Sequence, residues 1–157
     1  MDLVVLVGLQ GAGKTTFYGA RFAATHALVS KDLFRGARDR ARRQRELITA
    51  AAAAGRPVVV DNTNVRREDR LALIAQARAL GLRPVCFWFP PDVRASLARN
   101  ARRSGKARVP DVAVHATRAR LEPPTWDEGW DALWEVRAEE GAFHLAEVPR
   151  PERGASA

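Results

Sequence analysis

The chain has 157 residues, of which 46% are hydrophobic and 28% are charged, and this balance predicts one soluble globular domain. No apolar run approaches the length of a membrane span and no signal peptide is recognisable, so we expect a protein that is not inserted in a membrane. The net charge of +8 indicates an anionic partner, while the single cysteine, Cys86, excludes an internal disulfide and favours a cytoplasmic location.

The first predicted element is a strand at residues 3–7, an uninterrupted apolar run that indicates burial on both faces. It leads into GLQGAGKT at residues 8–15, a complete G-x-x-x-x-G-K-T phosphate-binding loop, and then into a helix predicted at residues 14–23. Such glycines let backbone N–H groups surround a polyphosphate, Lys14 places its charge on the β and γ oxygens, and the Thr15 hydroxyl is a Mg²⁺ ligand. The residues predicted to bind the nucleotide are Gly8, Gly11, Ala12, Gly13, Lys14, Thr15 and Thr16.

A strand predicted at residues 27–30 is followed by a pattern that predicts one long helix over residues 32–54. Its apolar stripe includes Phe34 and Ile48, and Gly55 is a typical C-terminal stop. A second stripe carries arginines at three- and four-residue spacing, which predicts that they share one helix face. These arginines are Arg35, Arg38, Arg42 and Arg45.

Strands and helices alternate through the rest of the chain. The remaining strands are predicted at residues 57–61, 84–89, 133–137 and 143–148. The remaining helices are predicted at residues 66–80, 92–103 and 111–121. This alternation predicts an α/β fold of three layers around a mainly parallel sheet. We expect one domain over residues 1–148 and a loose polar tail over residues 149–157.

Two groups of polar residues are predicted at the sheet edge where α/β folds bind ligands. Asp61 ends an apolar strand, as does the acid that holds Mg²⁺ through water in P-loop enzymes. The alternative is that residues 61–64 cap the next helix, with Asn64 as the cap. Both roles are compatible, because they fall on different residues. Asp32 and Arg35 share a helix face, so the carboxylate can accept a proton from an attacking hydroxyl while the guanidinium holds a phosphate. A surface ion pair is the alternative for these two.

Five basic residues lie on and just past the helix predicted at residues 92–103. The spacing places Arg99 and Arg103 on one helix face. Arginines on a segment that can close are suited to neutralising the charge that develops during phosphate transfer, whereas a solvated basic surface is the alternative for some of them. The five are Arg99, Arg102, Arg103, Lys106 and Arg108.

The ordered set of motifs resembles the 5′-hydroxyl polynucleotide kinases of the P-loop phosphotransferase superfamily. The matching motifs are the phosphate-binding loop at residues 8–15, Asp32-x-x-Arg35, and Val60-Asp61-Asn62-Thr63-Asn64. Arg99-Asn100 with Arg103, Lys106 and Val109-Pro110 resembles the family's lid, and residues 121–125 and 128–129 resemble its C-terminal part. The resemblance implies a three-layer P-loop kinase fold with a helical lid.

The resemblance also implies roles for single residues. Lys14 and Thr15 serve ATP and Mg²⁺, with Asp61 near the metal. Asp32 becomes the general base on the 5′-hydroxyl, and Arg35 holds the 3′-phosphate of the acceptor. Arg99 and Arg103 become lid contacts to the ATP phosphates, so the implied catalytic set is Lys14, Asp32, Arg35 and Arg103. Nucleic-acid ends are the implied substrate, and separate repair enzymes would supply the phosphatase or ligase activity that many relatives carry as attached domains.

Three functions compete at this stage. The first is an ATP- and Mg²⁺-dependent kinase that acts on 5′-hydroxyl ends of DNA or RNA. The second is a small-molecule kinase on the same fold, acting on a metabolite or a nucleoside-type substrate, and the third is a P-loop NTPase switch that binds a partner. The net charge and the arginine stripe favour a polyanionic substrate, and the pair Asp32 and Arg35 favours an acceptor site over a switch.

Overall fold

A six-stranded sheet lies at the centre of the computed structural model, which describes residues 1–152. The strands are β1 (Asp2–Val7), β2 (Ala27–Val29), β3 (Val58–Asp61), β4 (Arg83–Trp88), β5 (Ala132–Glu139) and β6 (Ala142–Glu147). Their order across the sheet is β2-β3-β1-β4-β5-β6, and only β6 is antiparallel to its neighbour. The predicted α/β fold with a mainly parallel sheet is confirmed, and each predicted strand is present to within two residues at either end.

Five α-helices and three short 3₁₀ turns connect the strands. The helices are α1 (Lys14–Arg21), α2 (Arg40–Ala53), α3 (Arg67–Ala79), α4 (Val93–Ala101) and α5 (Asp111–Arg120). The 3₁₀ turns are Lys31–Phe34, Gly105–Ala107 and Trp126–Glu128. Within residues 1–152, no helix has the length and apolar character needed to cross a membrane.

Alternate residues of β1 supply two cores, one on each face of the sheet. Val5 and its neighbours on one face pack with Ile48 of α2 and Leu73 of α3. Leu6 lies on the other face with Phe17 of α1. Because both faces are covered, β1 is buried along almost its whole length, as its continuous apolar sequence predicts. The buried strand fixes the position of the loop that follows it.

The prediction of one long helix over residues 32–54 is wrong. The chain forms the 3₁₀ turn Lys31–Phe34 and starts α2 only at Arg40. Gly36 lowers the helix propensity between them, and the Asp39 carboxylate caps α2 by accepting a hydrogen bond from the Arg42 N–H at 3.0 Å. The arginines predicted to share one helix face are divided, with Arg35 and Arg38 before α2 and Arg42 and Arg45 within it.

The segment after β6 returns to the body of the domain. The Trp126 indole N–H donates to the Val148 carbonyl at 2.9 Å, and the Arg150 guanidinium lies 3.9 Å from the centre of the Trp126 ring. Residues 153–157 of the predicted tail lie outside the described residues, and the domain limits remain a prediction.

Candidate active site

The loop between β1 and α1 requires glycine at its closest approach to α4. Gly11 has a φ of 76°, and a Cβ atom there would lie 2.5 Å from the Ser96 carbonyl oxygen. Gly13, with a φ of 99°, forms the N-cap of α1. These left-handed conformations lead the loop into the N-terminus of α1, whose free N–H groups are suited to binding a phosphate.

Lys14 is buried within this loop. Its ammonium donates to the carbonyls of Gly8 and Leu9, at 2.9 and 2.8 Å. Burial lowers the pKa of Lys14 from 10.5 to about 8, an effect that the nearby Asp61 and Asp32 carboxylates oppose and the Arg103 guanidinium reinforces. The ammonium therefore lies in a poorly solvated site where an anionic ligand would stabilise its charge.

Thr15 and Asp61 form the best candidate for a metal site. The Thr15 hydroxyl, at the start of α1, donates to the Asp61 carboxylate at 2.9 Å, and Asp61 is the last residue of β3. Among the described residues, no group of three or more His, Cys, Asp or Glu side chains could hold a metal ion. Mg²⁺ fits two protein oxygens because it usually keeps several waters and takes further oxygens from substrate phosphates.

Asp32 and Arg35 are joined in the 3₁₀ turn after β2. The Arg35 guanidinium donates to the Asp32 carboxylate at 3.3 Å and to the Lys106 carbonyl at 3.2 Å. The backbone N–H of Lys31 donates to the Asn62 side chain at 2.9 Å, which ties this turn to the end of β3. The turn is therefore held beside Asp61, although the predicted helix is absent there.

A cleft of ≈ 250 Å³ brings most of the predicted catalytic residues together. Its lining residues include Lys14, Thr15, Asp32, Asp61 and Arg103. Arg35 and Arg99 are not among them. We call this cleft, bounded by the phosphate-binding loop, the 3₁₀ turn and the end of β3, the acceptor-side cleft.

Arg99 belongs to a second cleft, of ≈ 180 Å³, on the other side of the phosphate-binding loop. The Arg99 guanidinium donates to the Gly11 carbonyl at 3.3 Å. Ala12, predicted to bind the nucleotide, also lines this second cleft, together with Phe89 and Arg137. The structure therefore divides the two predicted lid arginines between two clefts.

The predicted lid has a fixed base. The buried Asn100 side chain of α4 donates to the Val109 carbonyl at 2.6 Å and accepts from the Val109 N–H at 3.0 Å. The same helix packs against Gly11, so α4 is held on the phosphate-binding loop. We call these two hydrogen bonds the clasp between Asn100 and Val109. Arg103 lies in the turn that the clasp closes, and its guanidinium donates to the Ala107 carbonyl at 3.4 Å.

The interpretation of Asn64 as the cap of α3 is wrong. Asn64 is buried with a φ of 49°, and its amide donates to the Leu6 carbonyl at 2.9 Å. Helix α3 begins three residues later, where the Glu122 carboxylate accepts from the Arg67 N–H at 2.6 Å. Asn64 therefore holds the loop after β3 against β1.

Sequence reasoning missed a buried ion pair behind this loop. The fully buried Arg70 guanidinium donates to both carboxylate oxygens of Glu128, at 2.7 and 2.9 Å, and to the Asn64 carbonyl at 3.0 Å. Two signals in the sequence point to it. Arg70 stands on the apolar face of α3 with Leu73, and Thr125-x-x-Glu128 is a capping-box pattern, which the structure contains.

Residues 3–124 match the family model described as AAA domain. The chain is 27% identical over 141 residues to the bifunctional polynucleotide phosphatase/kinase of Schizosaccharomyces pombe; this match covers 86% of the chain. The chain spans about a third (33%) of the length of that relative. These matches support the resemblance that the motifs indicate.

Solved structures share the fold. A fungal RNA kinase superposes with a TM-score of 0.66 at 15% identity, covering 90% of this chain and 40% of that one. A gluconokinase from Sinorhizobium meliloti superposes with a TM-score of 0.61 at 20% identity, covering 87% of this chain and 82% of that one. The same sheet and loop arrangement is therefore found in proteins named for different substrates.

Proposed function

We propose that this chain, which belongs to the AAA domain family and is a kinase-type P-loop phosphotransferase, transfers the γ-phosphate of ATP to 5′-hydroxyl ends of DNA or RNA. The observation that carries the proposal is the acceptor-side cleft. It holds the Asp32 carboxylate opposite Lys14 and Arg103, two cations suited to phosphates. A nucleotide-hydrolysing switch has no need of a carboxylate at this place.

In the proposed reaction, the Asp32 carboxylate accepts the proton of the 5′-hydroxyl as its oxygen forms a bond to the γ-phosphorus. The bond between that phosphorus and the β,γ-bridging oxygen breaks, and the electron pair leaves with ADP. Lys14 and Arg103 neutralise the charge that develops on the transferred group. Thr15 and Asp61 would hold Mg²⁺, which supplies further charge neutralisation when bound.

The nucleotide is proposed to extend across the phosphate-binding loop between the two clefts. The second cleft, lined by Ala12, Arg99 and Arg137, would receive the base side of the donor. This assignment leaves the acceptor-side cleft for the hydroxyl substrate.

Two further features favour a nucleoside end as the acceptor. Leu33 lines the acceptor-side cleft and is 67% exposed, so an apolar surface such as a nucleobase would cover it. Arg35 lies beside Asp32, where its guanidinium could exchange its present contacts for a phosphate of the acceptor.

A small-molecule kinase is the second candidate, because the gluconokinase matches over most of both chains, whereas the polynucleotide relative is three times as long as the matched part. The deciding experiment offers purified protein labelled ATP with 5′-hydroxyl oligonucleotides or with gluconate. Phosphate transfer to the oligonucleotide alone is the expected result. Transfer to gluconate with none to any oligonucleotide would overturn the proposal.

A further inference from the structure

A further cavity, distinct from the cleft that contains Arg99, adjoins the acceptor-side cleft and takes no part in the proposed reaction. It has a volume of ≈ 220 Å³ and lies between α2 and α3. Asn62 and Thr63 line both cavities, so the two share a wall. A polymeric acceptor that leaves the acceptor-side cleft across this wall would enter this cavity next.

The shared wall is held by hydrogen bonds. The Asn62 side chain accepts from the Lys31 N–H at 2.9 Å and donates to the Gln44 side chain of α2 at 2.7 Å. On the far side, the Gln76 side chain of α3 donates to the Arg45 carbonyl at 2.9 Å. These bonds join the 3₁₀ turn, α2 and α3 around the cavity.

The charges of the cavity favour an anion. Lys31 and Arg45 line it, and within residues 1–152 neither forms an ion pair. Asp69 is the carboxylate among its described lining residues, which leaves two positive charges against one negative. Two other arginines of α2 differ, because Arg42 and Arg43 both pair with Glu46, at 3.1 and 3.5 Å.

We propose that this cavity is a subsite for a phosphodiester of the acceptor strand one nucleotide beyond the phosphate held near Arg35. This inference rests on the proposed function and deepens it, because it makes a strand of at least two nucleotides the preferred acceptor. Lys31 and Arg45 supply the charge, and the Gln44 amide, whose oxygen accepts from Asn62, supplies a hydrogen-bond donor for the sugar or phosphate.

The test compares an acceptor that ends at the first phosphate with one that is longer by one nucleotide and carries the second phosphate. A nucleoside 3′-monophosphate fills the first position, and a dinucleotide with a 3′-terminal phosphate also reaches the cavity. For the unmodified protein, we expect the KM to fall about tenfold from the first acceptor to the second, as one charge-assisted contact implies. In the Lys31→Gln/Arg45→Gln double variant, we expect this fall to disappear.

The matched control is Arg42→Gln, which removes an exposed arginine of the same helix that is already paired with Glu46. It should keep the fall in KM. A binding readout is independent of turnover: the slope of log affinity against log salt for a short single strand should decrease by about 0.7 in the double variant, the value for one lost phosphate contact.

Each outcome separates the two proposals. If neither acceptor is phosphorylated and no oligonucleotide binds, the proposed function fails. If both acceptors are phosphorylated but the double variant keeps the tenfold fall and the full salt slope, only the subsite is overturned, and Lys31 and Arg45 belong to solvated surface.

Discussion

Burial strongly affects the charge of Lys14. Lowering its pKa from 10.5 to about 8 corresponds to a cost of about 3 kcal/mol in the free energy of unfolding at neutral pH. Between pH 8 and pH 10.5 the unfolded chain binds more protons at this group than the native chain does. The free energy of unfolding therefore rises with pH in this window.

Lys14→Met should abolish phosphate transfer without unfolding the protein. Loss of the buried charge is stabilising, and it is offset by about 1–3 kcal/mol because the Gly8 and Leu9 carbonyls lose their donor. Denaturant titrations should show that the stability of wild type relative to the variant rises by about 2 kcal/mol from pH 7 to pH 9.5. If the stability difference between wild type and variant did not change with pH, the ammonium would be well solvated. Near-normal turnover of the variant would contradict the kinase interpretation.

Asp32→Asn removes basicity and keeps the size of the side chain. General-base help is typically worth about 10²–10⁴ in rate, so turnover of a 5′-hydroxyl oligonucleotide should fall by that range. Nucleotide affinity and the midpoint of thermal unfolding should stay close to wild type, because Asp32 is 74% exposed in its side chain. Steady-state kinetics and a thermal melt check both points. Unchanged turnover would make Asp32 a structural residue.

Arg35→Lys should have a different kinetic signature. The guanidinium holds a phosphate through two parallel hydrogen bonds, which an ammonium cannot reproduce. We expect the KM for an acceptor with a 3′-phosphate to rise about tenfold, with a smaller change in kcat. An acceptor without the 3′-phosphate is the control and should respond less to the substitution. An equal response of both acceptors would argue against a phosphate contact.

At the scale of single elements, the clasp between Asn100 and Val109 divides the predicted lid into a fixed and a free part. Helix α4 is fixed to the phosphate-binding loop through Gly11, whereas residues 102–108 form an exposed turn that carries Arg103. We therefore expect any closure over a nucleotide to move this turn and to break the bond from Arg35 to the Lys106 carbonyl. Helix α4 can act as a rigid support for this turn.

Asn100→Leu should loosen this turn while α4 stays in place. The substitution keeps the approximate shape of the side chain and leaves the Val109 N–H and carbonyl without partners, at a cost of about 1–3 kcal/mol for each group. We expect faster trypsin cleavage within residues 102–108 and a raised KM for ATP. Cleavage at Arg38 and Arg40, which lie outside the clasp, is the internal control. Equal acceleration at all these sites would indicate general unfolding.

At the scale of the whole molecule, the sequence predicts the elements whose causes are local. The buried strand β1 and the phosphate-binding loop follow from contiguous residues, and the alternation of strands and helices is enough for the fold class. The break at Gly36 and Asp39 was missed because a continuous arginine spacing masks a helix cap. Propensity and side-chain capping decide that boundary.

The site is predicted less completely, because part of it depends on contacts between distant segments. The phosphate-binding motif and the rule for parallel sheets predict that one site contains Lys14, Thr15 and Asp61. The structure brings these three residues into one cleft. The clasp of Asn100 and the pair of Arg70 with Glu128 join residues that are 9 and 58 positions apart. Spacing within one element carries no information about such pairs.

The Arg70–Glu128 pair connects the C-terminal part of the chain to the loop that follows Asp61. Besides Arg70, the Glu128 carboxylate accepts hydrogen bonds from the Thr125 N–H at 3.1 Å and the Trp130 indole at 3.3 Å. Such a pair is costly to break from one side, because the remaining charge stays buried. It is less costly to replace as a whole.

A double-mutant cycle tests this account. Arg70→Met should lower the free energy of unfolding by about 3–5 kcal/mol, because it leaves the buried Glu128 carboxylate with the half-exposed Arg67 guanidinium, at 3.6 Å, as its nearest cation. Adding Glu128→Leu should recover much of that loss, and the unmet Asn64 carbonyl and Thr125 N–H should prevent full recovery. Denaturant unfolding measures each corner of the cycle.

Arg78→Met is the matched control, since it lies on the same helix and pairs with Asp131 at 3.0 Å, but its side chain is 50% exposed. Its effect should be small, because an exposed ion pair contributes little to stability. If Arg70→Met cost no more than this control, the buried pair would contribute little. The loop that follows Asp61 would then depend on the bond from the Asn64 amide to β1.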